Sequence, residues 1–328
     1  MSAEPELTIV IVNYNAGEYL STCIEAIRSQ TYRDYRVIVI DNASRDDSLA
    51  QIAHQPDLMV IENKQNIGFA AAQNQGMRLA TGRYMMALNF DILMTPTFLE
   101  ELIKAIDSFP DIGAVSGKLL RMTPAGKSTN EIDNTGLLLS RRRFPVHRGG
   151  DEIDDGQYGE SDLVFGVMGA AALYRREMLE DIAYKGQYFD ESYFMWYEDI
   201  DLDWRARLRG WKCCYIPNAV AYHVGDPHGH GRSKFGSQTS MRNRWRMILT
   251  NESKRDLWRN APWLLLEEFA LLRHVIWNGL LREYVVAGRS LAESLPEVMA
   301  KRRWVQSRKV YERLPDYPQA FDKVNYGA

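Results

Sequence analysis

The tightest constraint on the fold comes from short apolar runs that leave no polar face. LTIVIV (7–12) is continuously hydrophobic, the pattern of a strand covered on both sides by other elements. RVIVID (36–41), LMVIE (58–62) and YMMALN (84–89) read as further strands. Helical periods separate them. Leu20, Cys23, Ile24 and Ile27 recur at helical spacing, and Ser44 with Asp47 resembles a capping box opening a helix to about His54. Residues 68–80 read as a small-residue helix closed by Gly82, and Thr95-Pro96 opens another. Such alternation predicts an α/β protein with a doubly wound, mostly parallel sheet.

Ligands of such sheets bind beyond the carboxyl ends of the strands. The residues there are polar four times over: Asn13-Tyr14-Asn15, Asp41-Asn42, the stretch Asn63 to Gly68, and Asn89-Phe90-Asp91. One such group is an ordinary turn; four at one edge form a binding site.

From Leu119 to Glu160 the apolar runs give way to Gly, Asp and Arg, and a loop-rich excursion with short strands is expected. Order returns in DLVFGVMGAAALYRR (162–176). Asp199 to Arg209 is helical, with Ile200, Trp204 and Leu208 on one face and Gly210 at its end. KCCYIP (212–217) is a short strand leading to His223. Long helices rich in Trp, Leu and Arg follow Arg242. PWLLLEEFALLRHVIWNGLL (262–281) is interrupted by Glu267, Glu268 and Arg273, so it is amphipathic rather than spanning. The expected organisation is a domain over 1–240, with a nucleotide-binding half to about 118 and an acceptor half over 119–240, then a helical region over 241–328.

The net charge of −3 conceals an asymmetry. From Met241 onward sixteen Lys and Arg face ten Asp and Glu, a surplus of +6 that leaves −9 on residues 1–240. An acidic body with a basic, amphipathic tail fits anionic lipid better than nucleic acid, for which no groove-reading motif is present. The tail serves equally as an oligomer interface, so a homo-oligomer is the competing expectation. Three cysteines without metal or bridge spacing suit a reducing compartment. The N-terminus lacks the pattern of a cleaved signal, and a cytoplasmic location is expected.

Four groups are candidates for chemistry. Asp91, at a strand end, is the kind of hard oxygen ligand a divalent cation needs when it bridges a sugar diphosphate. Asp41 can accept a hydrogen bond from a pyrimidine ring, or serve only in a turn with Asn42 and Ser44. Glu198-Asp199 opens a helix, where acids are favoured by the dipole alone. The pair also follows the aromatic cluster Tyr193, Phe194, Trp196 and Tyr197, and a carboxylate beside aromatic faces suits proton removal from a sugar hydroxyl. His223, His228 and His230 share a Gly-rich segment that suits a lid with metal or phosphate contacts.

Taken together, TIVIVNYN, VIDNAS, NKQNIGFAAAQNQG, ALNFD, GAAALYRR, MWYEDIDLDWRARLRGW and MRNRW resemble a family 2 glycosyltransferase of the GT-A fold, in its bacterial rhamnosyltransferase-like branch. The resemblance spans about residues 7–250. It implies an inverting transfer of sugar from a nucleotide diphosphate, dTDP-rhamnose before a UDP-sugar, to a lipid-linked or polysaccharide acceptor at the inner face of the membrane. By the same resemblance Val12, Asn13, Tyr14, Asn15 and Asp41 hold the nucleotide. Asn66, Gly68, Asn74 and Asn89 line the donor, with Gly68 allowing close backbone approach, and Arg242 meets the diphosphate. Asp91 and His223 bind Mg²⁺ or Mn²⁺, Asp199 is the general base with Glu198 beside it, and Trp196 and Gly169 face the acceptor. One departure stands out. The family's metal motif often begins with Asp, and this branch commonly has Pro at its centre, whereas this chain has Asn89-Phe90-Asp91 with a single carboxylate.

Two other readings compete. A sugar nucleotidyltransferase needs a Gly-rich basic loop after the first strand, which NYNAGEYL lacks. A non-catalytic sugar- or membrane-binding scaffold requires the carboxylates to be incidental.

Overall fold

A computed structural model describes residues 4–53, 55–225 and 233–311. The first part contains β1 (Leu7–Asn13), α1 (Tyr19–Arg28), β2 (Tyr35–Asp41), β3 (Leu58–Glu62), α2 (Phe69–Met77) and β4 (Tyr84–Asn89). The middle adds β5 (Ile92–Met94), α3 (Phe98–Ser108), β6 (Ile112–Met122), β7 (Ser128–Asn134), β8 (Leu137–Leu139), β9 (Pro145–His147), β10 (Asp162–Val164) and β11 (Ala171–Arg175). The last part runs through α4 (Arg176–Ile182), α5 (Glu198–Leu208), β12 (Lys212–His223), α6 (Lys234–Asn251), α7 (Lys254–Trp277) and α8 (Leu281–Arg308).

The main sheet runs β10-β12-β6-β11-β4-β1-β2-β3. β1, β2, β3 and β4 are parallel, as the apolar runs require, and β6 pairs parallel with β12. β11 reverses direction between β4 and β6. Side chains of β1 point alternately into two apolar layers. Ile9 and Ile11 face α1 and α3 residues such as Ile24 and Leu102, while Val10 and Val12 face the α2 side with Ala72 and Met77. Burial on both faces explains why these strands carry no polar alternation.

Three local expectations change. Ser44 caps no helix, and only a single 3₁₀ turn at Ala50–Ile52 forms before His54, which lies outside the described residues. The Ser44 hydroxyl is already committed: it donates to Asp41 Oδ1 and accepts from the Asn15 backbone N–H. The excursion from Leu119 holds the short strands expected of it, but its first four residues belong to β6, which is buried through Leu120 and whose Lys118 is neutralised by Asp154 at 2.7 Å. KCCYIP is only the start of a twelve-residue strand whose register against β6 shifts between Ile216 and Val220, around Pro217. The expected divisions at 118/119 and 240/241 fall inside β6 and α6.

The C-terminal helices pack onto α5 and the loop before it. α6 lies along α8, and a third apolar cluster joins Trp204 and Leu208 of α5 to Met247, Leu264 and Val305. A buried ionic knot fastens this joint. Lys301 of α8 meets Asp190 at 2.7 Å and Asp201 of α5 at 2.9 Å, and Arg205 also holds Asp201 at 2.9 Å.

Candidate active site

Strand register assembles the centre. β5 pairs antiparallel with β12 so that Ile92 faces His223, which brings Asp91 and His223 together. β12 also pairs with β6, placing His223 opposite Arg121, and β7 folds back on β6 with Leu119 opposite Asn134. The result is a buried row of Asp91, His223 and Asp133. His223 Nδ1 is 2.8 Å from Asp133 Oδ2, and His223 Nε2 is 3.5 Å from Asp91 Oδ2.

The two ends of that row differ. Asp133 binds its ring nitrogen directly, whereas Asp91 Oδ2 and His223 Nε2 face one another without a hydrogen-bond partner. A bond from Nδ1–H to a carboxylate leaves Nε2 as the free lone pair, which is how ligating histidines are oriented. Two ligands at ~2.1 Å from one ion stand ~3.0–3.5 Å apart at ordinary coordination angles, so the orphaned pair fits a divalent cation. Burial depresses the His223 imidazole, yet Asp91 and Asp133 raise it to about 10. The field that favours a proton there favours a cation equally. Among the described residues no group of three or more His, Cys, Asp or Glu could hold a metal, and His228 and His230 lie outside those residues.

Asn89, half-buried, ends β4, and its N–H donates to Ala170 O at 2.8 Å. This bond sets the Asn89-Phe90-Asp91 corner against the segment 166–170, where Gly169 N donates to Asp199 Oδ2 at 3.1 Å. The other oxygen, Oδ1, accepts from Ile200 N at 2.7 Å. Burial pushes the half-buried Asp199 carboxyl above the ordinary carboxylate range, against the pull of these two N–H groups. Glu198 is more deeply buried, with Oε2 unpartnered, and burial together with Asp199 drives it well above that range.

The loop before α5 is held under strain. Phe194, Trp196 and Tyr197 all have positive φ, of 66°, 64° and 71°, a conformation unfavourable for bulky side chains. One amide secures it: Asn243 Nδ2 lies 2.9 Å from the carbonyls of Tyr193, Met195 and Trp196. Arg242 assists, donating to Ser192 O and Tyr193 O at 3.1 and 3.2 Å. That Arg242 guanidinium therefore braces the loop. Of the aromatic cluster, Tyr193 and Tyr197 are core residues, and only Phe194 and Trp196 remain half-buried.

The edge expected to hold the nucleotide is closed upon itself. Asn13 Nδ2 is shared among Asp41 Oδ1 (2.8 Å), Ser48 Oγ (2.9 Å) and Ser44 Oγ (3.1 Å). Asp41 also accepts from the Ser44 hydroxyl and N–H, so the turn role left open for it is realised. Asn15, with φ of 54°, bridges to the Arg45 N–H at 2.7 Å. Val12 is buried and Tyr14 half-buried beside them. Asn66 caps the turn at the Gly68 N–H.

Two residues expected to line the donor belong to the framework. A Cβ on Gly68 would lie 2.6 Å from the Phe194 side chain and carbonyl, so the close approach it permits is to Phe194. Asn74 is fully buried. Its amide nitrogen donates to Phe189 O and Glu191 Oε1, and its oxygen accepts from Tyr188 N and Phe189 N.

Sequence reasoning passed over Asp133 and Asn243. Asp133 sits in EIDNTG, indistinguishable from a turn residue. Asn243 lies in the MRNRW stretch, but its three partners appear only in the folded loop.

A family model described as glycosyl transferase family 2 matches residues 8–183. The chain is 25% identical over 297 residues, 84% of its length and 94% of the relative's, to an N-acetylglucosaminyl-diphospho-decaprenol L-rhamnosyltransferase of Mycobacterium tuberculosis. It is similar in structure to the mannosyltransferase PcManGT from Pyrobaculum calidifontis in complex with GDP-Man and Mn²⁺ (TM-score 0.55, 18% identity, 94% of this chain and 86% of that one). It also resembles GalNAc-T7 with UDP, GalNAc and Mn²⁺ (TM-score 0.60, 16% identity, 76% and 48%). The doubly wound sheet is thus of the GT-A kind.

Proposed function

The chain belongs to glycosyl transferase family 2, and from that premise we propose a metal-dependent, inverting transfer of L-rhamnose from dTDP-rhamnose to a lipid-linked or polysaccharide acceptor of the cell envelope. The observation that carries metal dependence is the orphaned pair Asp91 Oδ2 and His223 Nε2, buried and 3.5 Å apart. These two atoms would hold Mg²⁺ or Mn²⁺, which would supply positive charge against the leaving diphosphate.

The remaining chemistry falls to the chain's own groups. The acceptor hydroxyl gives its proton to Asp199 as its oxygen bonds to the anomeric carbon. The bond from that carbon to the phosphate oxygen breaks, and its electron pair leaves with the nucleoside diphosphate. The N–H groups of Gly169 and Ile200 each hold one Asp199 oxygen, aiming the lone pairs that remain. A raised carboxyl is a better base than an ordinary one. Burial, and then Asp199 itself, raise Glu198 and so disfavour a second charge beside the base. One base acting opposite the leaving group inverts the anomeric centre. Trp196 and Gly169 face the acceptor, while Asp41, Asn13, Asn15 and Tyr14 shape the nucleotide end.

Support for rhamnose and for a polyprenyl-linked acceptor comes from the Mycobacterium tuberculosis relative, and such an acceptor puts the work at the inner membrane face. A UDP-sugar is the second donor reading, in line with the UDP bound to GalNAc-T7. The test is a panel of nucleotide-sugars assayed by thermal stabilisation with and without Mn²⁺. dTDP-rhamnose should stabilise most, only with metal, and Asp91→Asn should remove the effect. Stabilisation by UDP-sugars alone overturns the rhamnose assignment, and equal stabilisation of the variant overturns the metal site.

A further inference from the structure

α7 is built inside out. A surface helix ordinarily turns its apolar stripe inward and its polar face to water. Here the inward stripe is Asn260, Leu264, Glu267 and Val275, half of it polar. The opposite stripe, at spacings of seven, four, three and four, is Trp258, Leu265, Phe269, Leu272 and Ile276. Trp258 is 83% exposed, Phe269 73%, and Trp277 at the helix end 88%. Val285 of α8 extends the surface at 56%. The inward acids are occupied: Glu268 takes Arg244 at 2.6 Å, and Glu267 meets Arg142 at 3.4 Å. The helix is docked by its polar side, leaving a continuous apolar face outward.

The charges around that face are of one sign. Between residues 254 and 292 the exposed ionic side chains are Lys254, Arg255, Arg259, Arg273, Arg282 and Arg289. The acids of the same stretch, Asp256, Glu267, Glu268 and Glu283, are all buried or half-buried. A second copy laid on this face about a two-fold axis would set these cations against their own images. An anionic lipid surface complements both features at once, with apolar side chains entering the acyl boundary and Arg at the headgroups. Among the described residues no helix is long and apolar enough to cross a membrane.

We infer that the outer face of α7, with the start of α8, seats the protein on an anionic bilayer, Trp258, Phe269 and Trp277 inserting while Arg273 and Arg282 meet the headgroups. The inference rests on the reading of a membrane-borne acceptor. Flotation of the full chain with vesicles tests it, using phosphatidylglycerol and phosphatidylcholine separately. Binding should occur on phosphatidylglycerol, weaken with salt, and be lost in Phe269→Ser/Trp277→Ser. Arg273→Gln/Arg282→Gln should bind about 30-fold more weakly, since each cation near an anionic surface contributes about a fivefold factor. Transfer onto a short water-soluble acceptor should be unchanged in both variants. Absence of vesicle binding, binding that the serine variant retains, equal binding to neutral lipid, or concentration-dependent dimers in place of flotation overturns the inference. Vesicle binding by a protein that transfers no sugar overturns the transferase reading and leaves the docking face standing.

Discussion

Asp199 and Asp201 share the first turn of α5, and their surroundings push them in opposite directions. Around Asp201 burial disfavours the charge, but Lys301 and Arg205 outweigh it and hold the carboxyl below its ordinary range. Every oxygen there is used: Oδ1 accepts from Asn251 at 2.7 Å and from Tyr193, and Oδ2 from Arg205 and Lys301. Asp199 has no such ion pair: burial raises it against two backbone N–H groups and the more distant charge of His147. The difference separates an acid that the fold neutralises from the one proposed as the base. Where counter-charges saturate a buried carboxylate it stabilises the joint between helices, and where they are withheld it keeps affinity for a proton.

The largest effect expected from breaking this contrast is on transfer. Asp199→Asn should slow turnover about 10³- to 10⁴-fold, the range for removing a general base, with donor-induced thermal stabilisation unchanged. The acid limb of kcat in the wild type should lie above the ordinary carboxylate range. A comparable loss in Asp201→Asn without loss of folding would erase the distinction.

Lys301→Met should act on stability instead. It takes from Asp190 its ion-pair partner and leaves Asp201 with Arg205 alone, at about 3–5 kcal/mol, or a fall of roughly 10 °C in thermal midpoint. Both acids are depressed in the folded chain. Their contribution is present above the ordinary carboxyl value of 3.8 and lost as pH falls through the lower folded values. Stability in the variant should fall less steeply on acidification, which urea unfolding at stepped pH measures. Removing the helical tail from about Pro262 takes Lys301 with it, so truncation should unfold the acceptor half.

Smaller effects probe the supports. Asn243→Ala removes the donor shared by three loop carbonyls, leaving Tyr193 O to Arg242 and the Met195 N–H, and releases the strained turn. It should lower kcat about 100-fold for a stability loss of about 2 kcal/mol, and a loop that stayed in place would leave kcat intact. Asp133→Asn should weaken Mn²⁺ binding about 10-fold, the scale for losing a ligand's carboxylate partner, read by titration of the metal directly.

Much of the frame was legible because its strands are buried on both faces and so have no polar alternation to confuse. β1, β2 and β4 announced themselves this way, and the polar residues at their ends followed. β6 hid because Lys118 and Arg121 interrupt its apolar pattern, and their neutralisation by Asp154, Glu131 and Asp151 depends on pairing that sequence does not reveal. The Ser44–Asp47 signal misled because the hydroxyl had a better use across the strand ends, where Asp41 and Asn15 compete for it. Asp91, Asp199 and His223 stood out by position. Asp133 and Asn243, which orient those groups, did not, since their partners are distant in sequence.

The register that sets Ile92 opposite His223 also has a bearing on when the protein first becomes competent during synthesis. The ribosome delivers the N-terminal strands first, and residues 84–94 emerge long before β12. A nascent chain ending short of residue 223 has Asp91 without its partner, and one ending short of 301 has Asp201 with Arg205 but not Lys301. Contacts of such long sequence separation form late in folding. The centre therefore assembles only after β12 has been made, and the joint beneath it closes only after α8.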